Sequence, residues 1–421
     1  MAKEVKVLEK VQHKISGKRI FERAEELASC SCSSIGVTRL PFTEESAKAG
    51  ILIEKWMNEA GMTVRKDGLN NIIGRYEGEN PDAPILIIGS HLDTVIEGGK
   101  YDGMLGVITG IEVVQSLFDS GIILDHPIEV VGFCDEEGVR FHSTFLGSRA
   151  IAGTLTDVDL ERKDEDGISI AEALKTIGIN PLDYLMCRKK KEDVLGYLEL
   201  HIEQGPVLEN ENQSVGVVSG IAGATRFSFE IEGKAGHAGT VPIELRQDAL
   251  VGAAELIQYI ESVMWKNRPL VATVGKLLVH PGASNVIPSL VKGTLDIRDI
   301  DKTRKESAIH EILIESKKIC KSRGLQITFE KVMEADPVVC SDRFNSIIEA
   351  AIIQSGGNPI KLFSGAGHDA MAMADITEVA MIFVRCKDGL SHHPDECVTV
   401  EDVEAGAEVL YSTVLKIANK T

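Results

Sequence analysis

The chain has 421 residues, 43% of them hydrophobic and 26% charged, the composition of a globular protein with about two or three domains. Its formal charge of −19 and pI near 5.1 argue against a nucleic-acid partner and against an anionic membrane surface. No apolar run has bilayer-spanning length, and the eight scattered cysteines fit the reduced thiols of a cytoplasmic protein better than a disulfide framework.

The opening stretch, MAKEVKVLEKVQHKISGKRIFERAEELA, is charged throughout, which predicts one or two amphipathic helices rather than a signal peptide. Residues 47–60 place Ile51, Ile53, Trp56 and Met57 at helical spacing. APILIIGSHLDT then predicts a buried strand, VITGIEVVQSLF a helix and PIEVVGFCDEE a second buried strand. Continuous apolar strands separated by helices point to an α/β sheet covered on both faces.

From about Gly216 the texture changes. ATRFSFEIEG alternates as a half-exposed strand does, DALVGAAELIQYIESVM is a helix, and VATVGKLLV and VKGTLDIRDI are strands. KESAIHEILIESKKICKSRG follows as a helix and QITFEKV as a strand, an order that predicts a ferredoxin-like α+β domain with one open sheet face. After about Ala335 the α/β pattern resumes with a helix over 343–355, strands in PIKLFSG and EVAMIFVRC, and a final helix over 400–418. The expected architecture is an α/β catalytic domain with a central, mostly parallel sheet, over residues 1–215 and 332–421. A lid or dimerisation domain over 216–331 interrupts it.

Five strand ends or turns carry metal-ligand chemistry. LIIGSHLDT delivers His91 and Asp93, and GGKYDGMLG places Asp102 in a glycine-rich turn. VVGFCDEEG delivers Glu136 and Glu137, GYLELHIEQG delivers His201 flanked by Glu199 and Glu203, and GLSHHPDE offers His392 and His393. The acids crowded in DEEG repel one another unless water or a positive partner meets them. Taken singly, each segment has an ordinary reading as a hydrogen-bonded histidine or a solvated turn. Together they repeat one ligand chemistry beyond the carboxyl ends of strands, where open α/β sheets bind ligands. Histidine and carboxylate donors without cysteine suit Zn²⁺, Mn²⁺ or Co²⁺, and two such ions need a carboxylate between them.

GSHLDT, YDG, DEEGVRF…LGSRA, LELHIEQG, GHAGT, SGAGHDAMAMA and FVRCKDGLSHHPDE together resemble the di-metal amidohydrolases of the hydantoinase/carbamoylase type. The resemblance runs from GVTRLPFTEE (36–45) to the C-terminus. It implies two divalent ions per subunit, Mn²⁺ or Zn²⁺, with Co²⁺ or Ni²⁺ also compatible. His91 and His201 would hold one ion, Glu137 and His392 the other, and Asp102 would bridge them. Glu136 would be the general base, and Asp93 would orient His91 from behind. The peptidase relatives usually carry an acid where this chain has His201, a departure that marks the ureido-hydrolysing branch. The family pattern Ser-His-x-Pro-x-Glu assigns the ligand role to His392 and leaves His393 variable.

The same resemblance implies that His237, in GKAGHAGTVP, stabilises the oxyanion from a partner subunit, and therefore a homodimer joined through the lid. Asn285 and Arg298, in PGASNVIP…LDIRDID, would bind the carboxylate of a small ureido substrate, a guanidinium gripping it bidentately. Arg298 could instead pair with Asp296 or Asp299. Gln204, Gly367 and His368 would line the same pocket. Arg226 matches a position where allantoate-hydrolysing members carry arginine, although it could simply face solvent on an exposed strand. Allantoate is the expected substrate on these grounds, with N-carbamoyl-L-amino acids as the alternative.

Two rivals bear on this reading. SGAGHDA (364–370) fits G-x-G-x-x-G/A after a strand, with Asp388 at the distance a dinucleotide-binding acid would occupy. A metallo-aminoacylase or dipeptidase would share the metals and the base but cleave a different amide.

Overall fold

The computed structural model describes residues 15–419; the expected helix within the first fourteen residues lies outside them. The chain forms two compact units, one ending at Ser219 and resuming at Cys340, the other running Gly220–Val339. The sequence placed the lid a few residues early at both ends, because the strand that begins at Val215 continues the larger sheet before the lid starts. Among the described residues no helix is long and apolar enough to cross a membrane.

The larger unit is built on a nine-stranded sheet. Its strands before the lid are β1 (Thr63–Lys66), β2 (Ile72–Tyr76), β3 (Ile85–His91), β4 (Ile128–Phe133), β5 (Val194–Ile202) and β6 (Val215–Ile221). The lid supplies β7 (Gly223–Glu232), β8 (Gly236–His237), β9 (Val271–Thr273), β10 (Leu277–His280), β11 (Val286–Ile287), β12 (Leu290–Asp299) and β13 (Gln326–Glu334). β14 (Val338–Val339), β15 (Lys361–Ser364) and β16 (Val379–Val384) complete the larger sheet, ordered β1-β2-β4-β3-β5-β16-β6-β14 with β15 beside β6. The four central strands β4, β3, β5 and β16 run parallel, and the pairings flanking them are antiparallel.

The central strands read as unbroken apolar runs because helices cover both faces, so every residue of β4 and β16 is buried. The helix Met104–Asp119 packs on β3, β4 and β5 and meets the helices Gly17–Ala28 and Val400–Ile417. At Gly106 it comes so near β5 that a Cβ there would stand 2.2 Å from the Leu200 carbonyl oxygen. Glu112 lies fully buried in this helix, and Arg19 meets it through Nε at 2.6 Å and Nη2 at 2.7 Å.

In the lid, β10, β12, β7 and β13 form an antiparallel sheet with β9 also beside β12, the strand order of a ferredoxin-like fold. Phe227, Phe229, Ile231, Leu295 and Ile297 pack under the helices Ala249–Lys266 and Lys302–Ser322. Polar residues alternate with them on the opposite face. VATVGKLLV, expected as one strand, is two. Thr273 pairs with Asp296 and Leu277 with Gly293, so one extra residue bulges out around Gly275 and interrupts the ladder.

Candidate metal centre

The carboxyl ends of the four parallel strands converge on one group of side chains. β3 ends at His91, β4 leads directly into Asp135-Glu136-Glu137, β5 carries His201 next to its last residue, and the chain after β16 carries Ser391, His392 and Glu396. Asp102 joins them from the turn that precedes the helix Met104–Asp119. Gly103 makes this turn possible. Its φ is +75°, and a Cβ would lie 2.3 Å from His91 Nε2, so no side chain fits between the turn and the imidazole.

Asp102 stands at the middle. Its Oδ1 is 3.2 Å from His201 Nε2 and 3.6 Å from His91 Nε2, while Oδ2 is 3.2 Å from His392 Nε2. His392 Nε2 is also 3.3 Å from Glu137 Oε1, and Glu136 Oε2 is 4.0 Å from His91 Nε2. Three groups have their ligand atoms within 4.8 Å of one another: His91 with Asp102 and His201, His91 with Glu136 and Glu137, and Asp102 with Glu137 and His392. Each of the two inner rings has its other nitrogen at a backbone carbonyl, His91 Nδ1 at 3.0 Å from the Asp93 oxygen and His201 Nδ1 at 2.9 Å from the Ile202 oxygen. Donating Nδ1–H there leaves the Nε2 lone pair facing Asp102, the tautomer a metal ligand requires.

The electrostatics favour a cation. Burial opposes protonation of His91, yet Asp102, Glu136 and Asp93 outweigh it and raise the ring's pKa well above the ordinary value. Burial likewise opposes ionisation of Asp102, and His201, His392 and His91 overcome it, holding that carboxyl well below the usual range. At Glu136 burial dominates and raises the carboxyl well above its ordinary value, with Glu137, Asp369 and Asp93 adding to the effect against His91. His392 is raised to about 10 by its contacts with Asp102 and Glu137. Carboxylates outnumber imidazoles here, and nitrogen and oxygen donors surround the excess, a set that fits divalent ions of the Zn²⁺ or Mn²⁺ kind.

The other residues singled out in the sequence take the following places. The Asp93 carboxylate does not reach its partner through the His91 ring alone; its Oδ1 accepts the Glu136 N–H at 2.9 Å and its Oδ2 the Glu137 N–H at 3.1 Å. Of the histidine doublet, His392 faces Asp102 and Glu137, whereas His393 Nδ1 accepts the Asp395 N–H at 3.1 Å. Gln204 donates to Asp102 Oδ2 at 2.8 Å. His368 is buried edge-on against the His201 ring, centroids 4.5 Å apart, with its Nε2 2.7 Å from Ser364 Oγ. Gly367 beside it is exposed, and a Cβ there would stand 2.8 Å from the Phe145 ring. Glu199 lies buried, accepting from Ser90, Tyr197 and the Ala370 amide, and Glu203 caps the turn at Val207 and Leu208. The SGAGHDA segment leads into a helix of only five residues, Asp369–Met373, too short for the helix of a dinucleotide-binding unit.

The lid residues fall in two places within their own unit. β8 and β11 pair His237 with Val286, and the Ala238 amide donates to the Asn285 carbonyl at 2.9 Å, so exposed His237 and Asn285 share one small ribbon. On the open sheet face Asp296 lies opposite Arg226. Its Oδ2 accepts from Arg226 Nε at 2.7 Å and from Arg298 Nη2 at 3.0 Å, and its Oδ1 from Arg298 Nε at 2.9 Å. The Asp296 pairing that the sequence left open for Arg298 is therefore made, and it includes Arg226.

Ser391 and Glu396 also shape the site, in roles that their place in the sequence does not announce. Glu396 is buried and accepts the Tyr101 N–H at 2.8 Å and the Asp102 N–H at 3.1 Å through Oε1. Ser391 Oγ lies 2.6 Å from Asp102 Oδ2 and 3.1 Å from Glu396 Oε2. Both belong to SHHPDE, so the motif that holds His392 also fixes the turn that holds Asp102.

Comparison with known proteins finds relatives along most of the chain. A model of peptidase family M20/M25/M40 matches residues 87–416. The chain is 46% identical to an N-carbamoyl-L-amino acid amidohydrolase of Geobacillus stearothermophilus, over 96% of this chain and 99% of that one. It is 42% identical to an allantoate deiminase of Arabidopsis thaliana, over 91% and 79% respectively. Among solved structures, a hydantoinase/carbamoylase family amidase from Burkholderia multivorans superposes with a TM-score of 0.92 at 36% identity, covering 97% of this chain and 99% of that one.

Proposed function

The chain belongs to the M20/M25/M40 peptidase family, and from that premise we propose that it hydrolyses the ureido C–N bond of a small carboxylate-bearing substrate, allantoate first. It is a hydrolase of carbon–nitrogen bonds outside peptides, the class its relatives represent. The observation that carries the reading is Asp102, whose two oxygens face His91 and His201 on one side and His392 on the other. A carboxylate shared in this way is what two neighbouring dications need between them.

In this reading His91 and His201 would hold one ion and Glu137 and His392 the other, with Asp102 serving both sets. Mn²⁺ and Zn²⁺ suit the donor set, and Co²⁺ and Ni²⁺ are compatible with it. Bound there, the ions supply Lewis acidity toward the carbonyl and a water of lowered pKa. Glu136 takes a proton from the attacking water, whose oxygen bonds to the ureido carbon. As the C–N bond breaks, Glu136 returns that proton to the departing nitrogen. His237 stabilises the oxyanion, in the role that requires a homodimer through the lid. Asn285 and Arg298 recognise the carboxylate, with Gln204, Gly367 and His368 lining the pocket.

The ground for allantoate is the position of Arg226, which matches allantoate-hydrolysing members; its side chain is exposed and bonded to Asp296. N-carbamoyl-L-amino acids are the second reading, supported by 46% identity to a carbamoyl amidohydrolase over nearly the whole of both chains. The test is purified protein with Mn²⁺, offered allantoate, several N-carbamoyl-L-amino acids, ureidoglycolate and N-acetyl amino acids, scored for ammonia and amino-acid release. Ammonia from allantoate is the expected result. Turnover of N-acetyl amino acids alone would overturn the ureido assignment.

A further inference from the structure

The segment GVTRLPFTEE contributes no residue to the site as described, yet its Arg39 is among the largest fully buried side chains of the protein, 1% exposed. Among the described residues none of its hydrogen bonds goes to a carboxylate. Nε donates to the Leu92 carbonyl at 2.7 Å, Nη1 to the Leu27 and Cys30 carbonyls at 2.9 and 3.0 Å, and Nη2 points at the Met104 sulfur. Burial pulls the guanidinium down to about 10, so it stays charged at neutral pH. Asp93 supplies a favourable charge nearby, but the direct oxygen partners of the guanidinium are three carbonyls, which an apolar side chain of similar volume would leave without this donor. A structural filler therefore does not explain an arginine here.

The acceptors explain it. Leu92 is the residue between His91 and Asp93, and Met104 follows Asp102-Gly103, so one guanidinium touches both ligand-bearing segments from behind. The backbone around it clasps the same loop. Arg39 N–H donates to Thr94 Oγ1 at 2.9 Å, and the Thr94 N–H returns to the Arg39 carbonyl at 3.1 Å. Val37 and Gly98 exchange both of their backbone bonds, and the Glu97 N–H donates to Thr38 Oγ1 at 2.7 Å. Residues 37–39 thus run alongside 94–98, fixing the chain that leaves His91 on its way to Asp102.

We infer that Arg39 is a positioning residue of the metal centre: its guanidinium locks the His91-Leu92-Asp93 strand end to the Asp102-Gly103-Met104 turn, so that His91 and Asp102 are aligned before an ion binds. The inference rests on the metal-centre reading above. Lysine keeps the charge but, lacking the planar fork, cannot serve the Leu27, Cys30 and Leu92 carbonyls and the Met104 sulfur at once.

The experiment compares the unmodified chain with R39K and R39M after chelator treatment, reading Mn²⁺ affinity by calorimetry and the thermal midpoint of the metal-free protein. R39K is expected to keep a cooperative transition near the original midpoint and to bind Mn²⁺ about 10–100-fold more weakly, the range for residues that orient ligands from behind. R39K decides the matter if R39M does not fold. Unchanged Mn²⁺ affinity in R39K overturns the inference, as does a loss of affinity that merely follows a loss of fold. An unmodified chain that binds neither Mn²⁺ nor Zn²⁺ would instead overturn the metal-centre reading itself.

Discussion

The Asp93 carboxylate accepts the backbone N–H of Glu136 at 2.9 Å, and its second oxygen takes the amide of Glu137 at 3.1 Å. One buried side chain from the end of β3 thereby sets the turn that follows β4, and with it the directions in which the two glutamates point. D93N would place an amide NH₂ against one of those N–H groups. The expected result is a loss of stability of about 2 kcal/mol, from a broken bond to a charged acceptor. A fall in kcat of at least about tenfold should accompany it, since catalytic geometry tolerates little displacement. Denaturant unfolding and steady-state kinetics on the same preparation check both.

Glu136 and Glu137 should separate under mutation. Glu136 stands 4.0 Å from His91 Nε2, and Glu137 stands 3.3 Å from His392 Nε2. E136Q is expected to retain its metal and lose turnover by about 10²–10⁴-fold, the contribution of a general base. E137A is expected to bind about one equivalent less of metal, because a vacant ligand position weakens the whole set. Metal analysis of dialysed protein beside kinetics distinguishes them, and near-native rates with full metal content in both would refute the assignment.

Ser391 has one hydroxyl proton and two carboxylates within reach, and the 2.6 Å contact to Asp102 is the shorter. S391A leaves Asp102 Oδ2 with Gln204 as its remaining neutral donor. Divalent-ion affinity is expected to fall about 10–100-fold with little change in fold, as for other groups that orient a ligand. A competition titration against a chelator of known affinity measures it, and an unaltered affinity would assign the orienting work to Gln204 and Glu396.

Arg298 is held by Asp296 through Nε and Nη2, an arrangement that fixes the plane of the guanidinium. R298A is expected to raise KM for carboxylate substrates at least about tenfold, with a smaller effect on kcat. R298K should not restore it, since a lysine offers a point charge in place of a fork. An unchanged KM would remove Arg298 from substrate recognition and leave its bonds to Asp296 as its role.

Much of the fold could be read directly from the residues because burial imposes a local period. ILIIGSH and VAMIFV are continuous apolar runs wherever they are written, and strands covered on both faces require that pattern. The bulge at Gly275 left no such mark, because the surplus residue is defined only by the register of β12 opposite it.

The residues of the candidate metal centre were equally legible, since histidines and acids stood at the ends of those runs. What each donor faces was not. His392 and His393 are adjacent and chemically identical, and a φ of +56° at His392 is part of the backbone course that sends it toward Asp102 while its neighbour turns to Asp395. Arg39 and Glu396 lie inside quoted motifs, GVTRLPFTEE and SHHPDE, but their partners could not be read there, for their bonds reach across long stretches of chain, from Arg39 to Leu92 and from Glu396 to Tyr101. The sequence by itself determined the elements, the ligand chemistry and the family likeness, because periodicity and side-chain type are local properties. Only the tertiary structure decided which carboxylate holds a backbone amide, which faces an imidazole, and which cation is already paired, because each buried polar group takes its partner from whatever segments packing brings beside it.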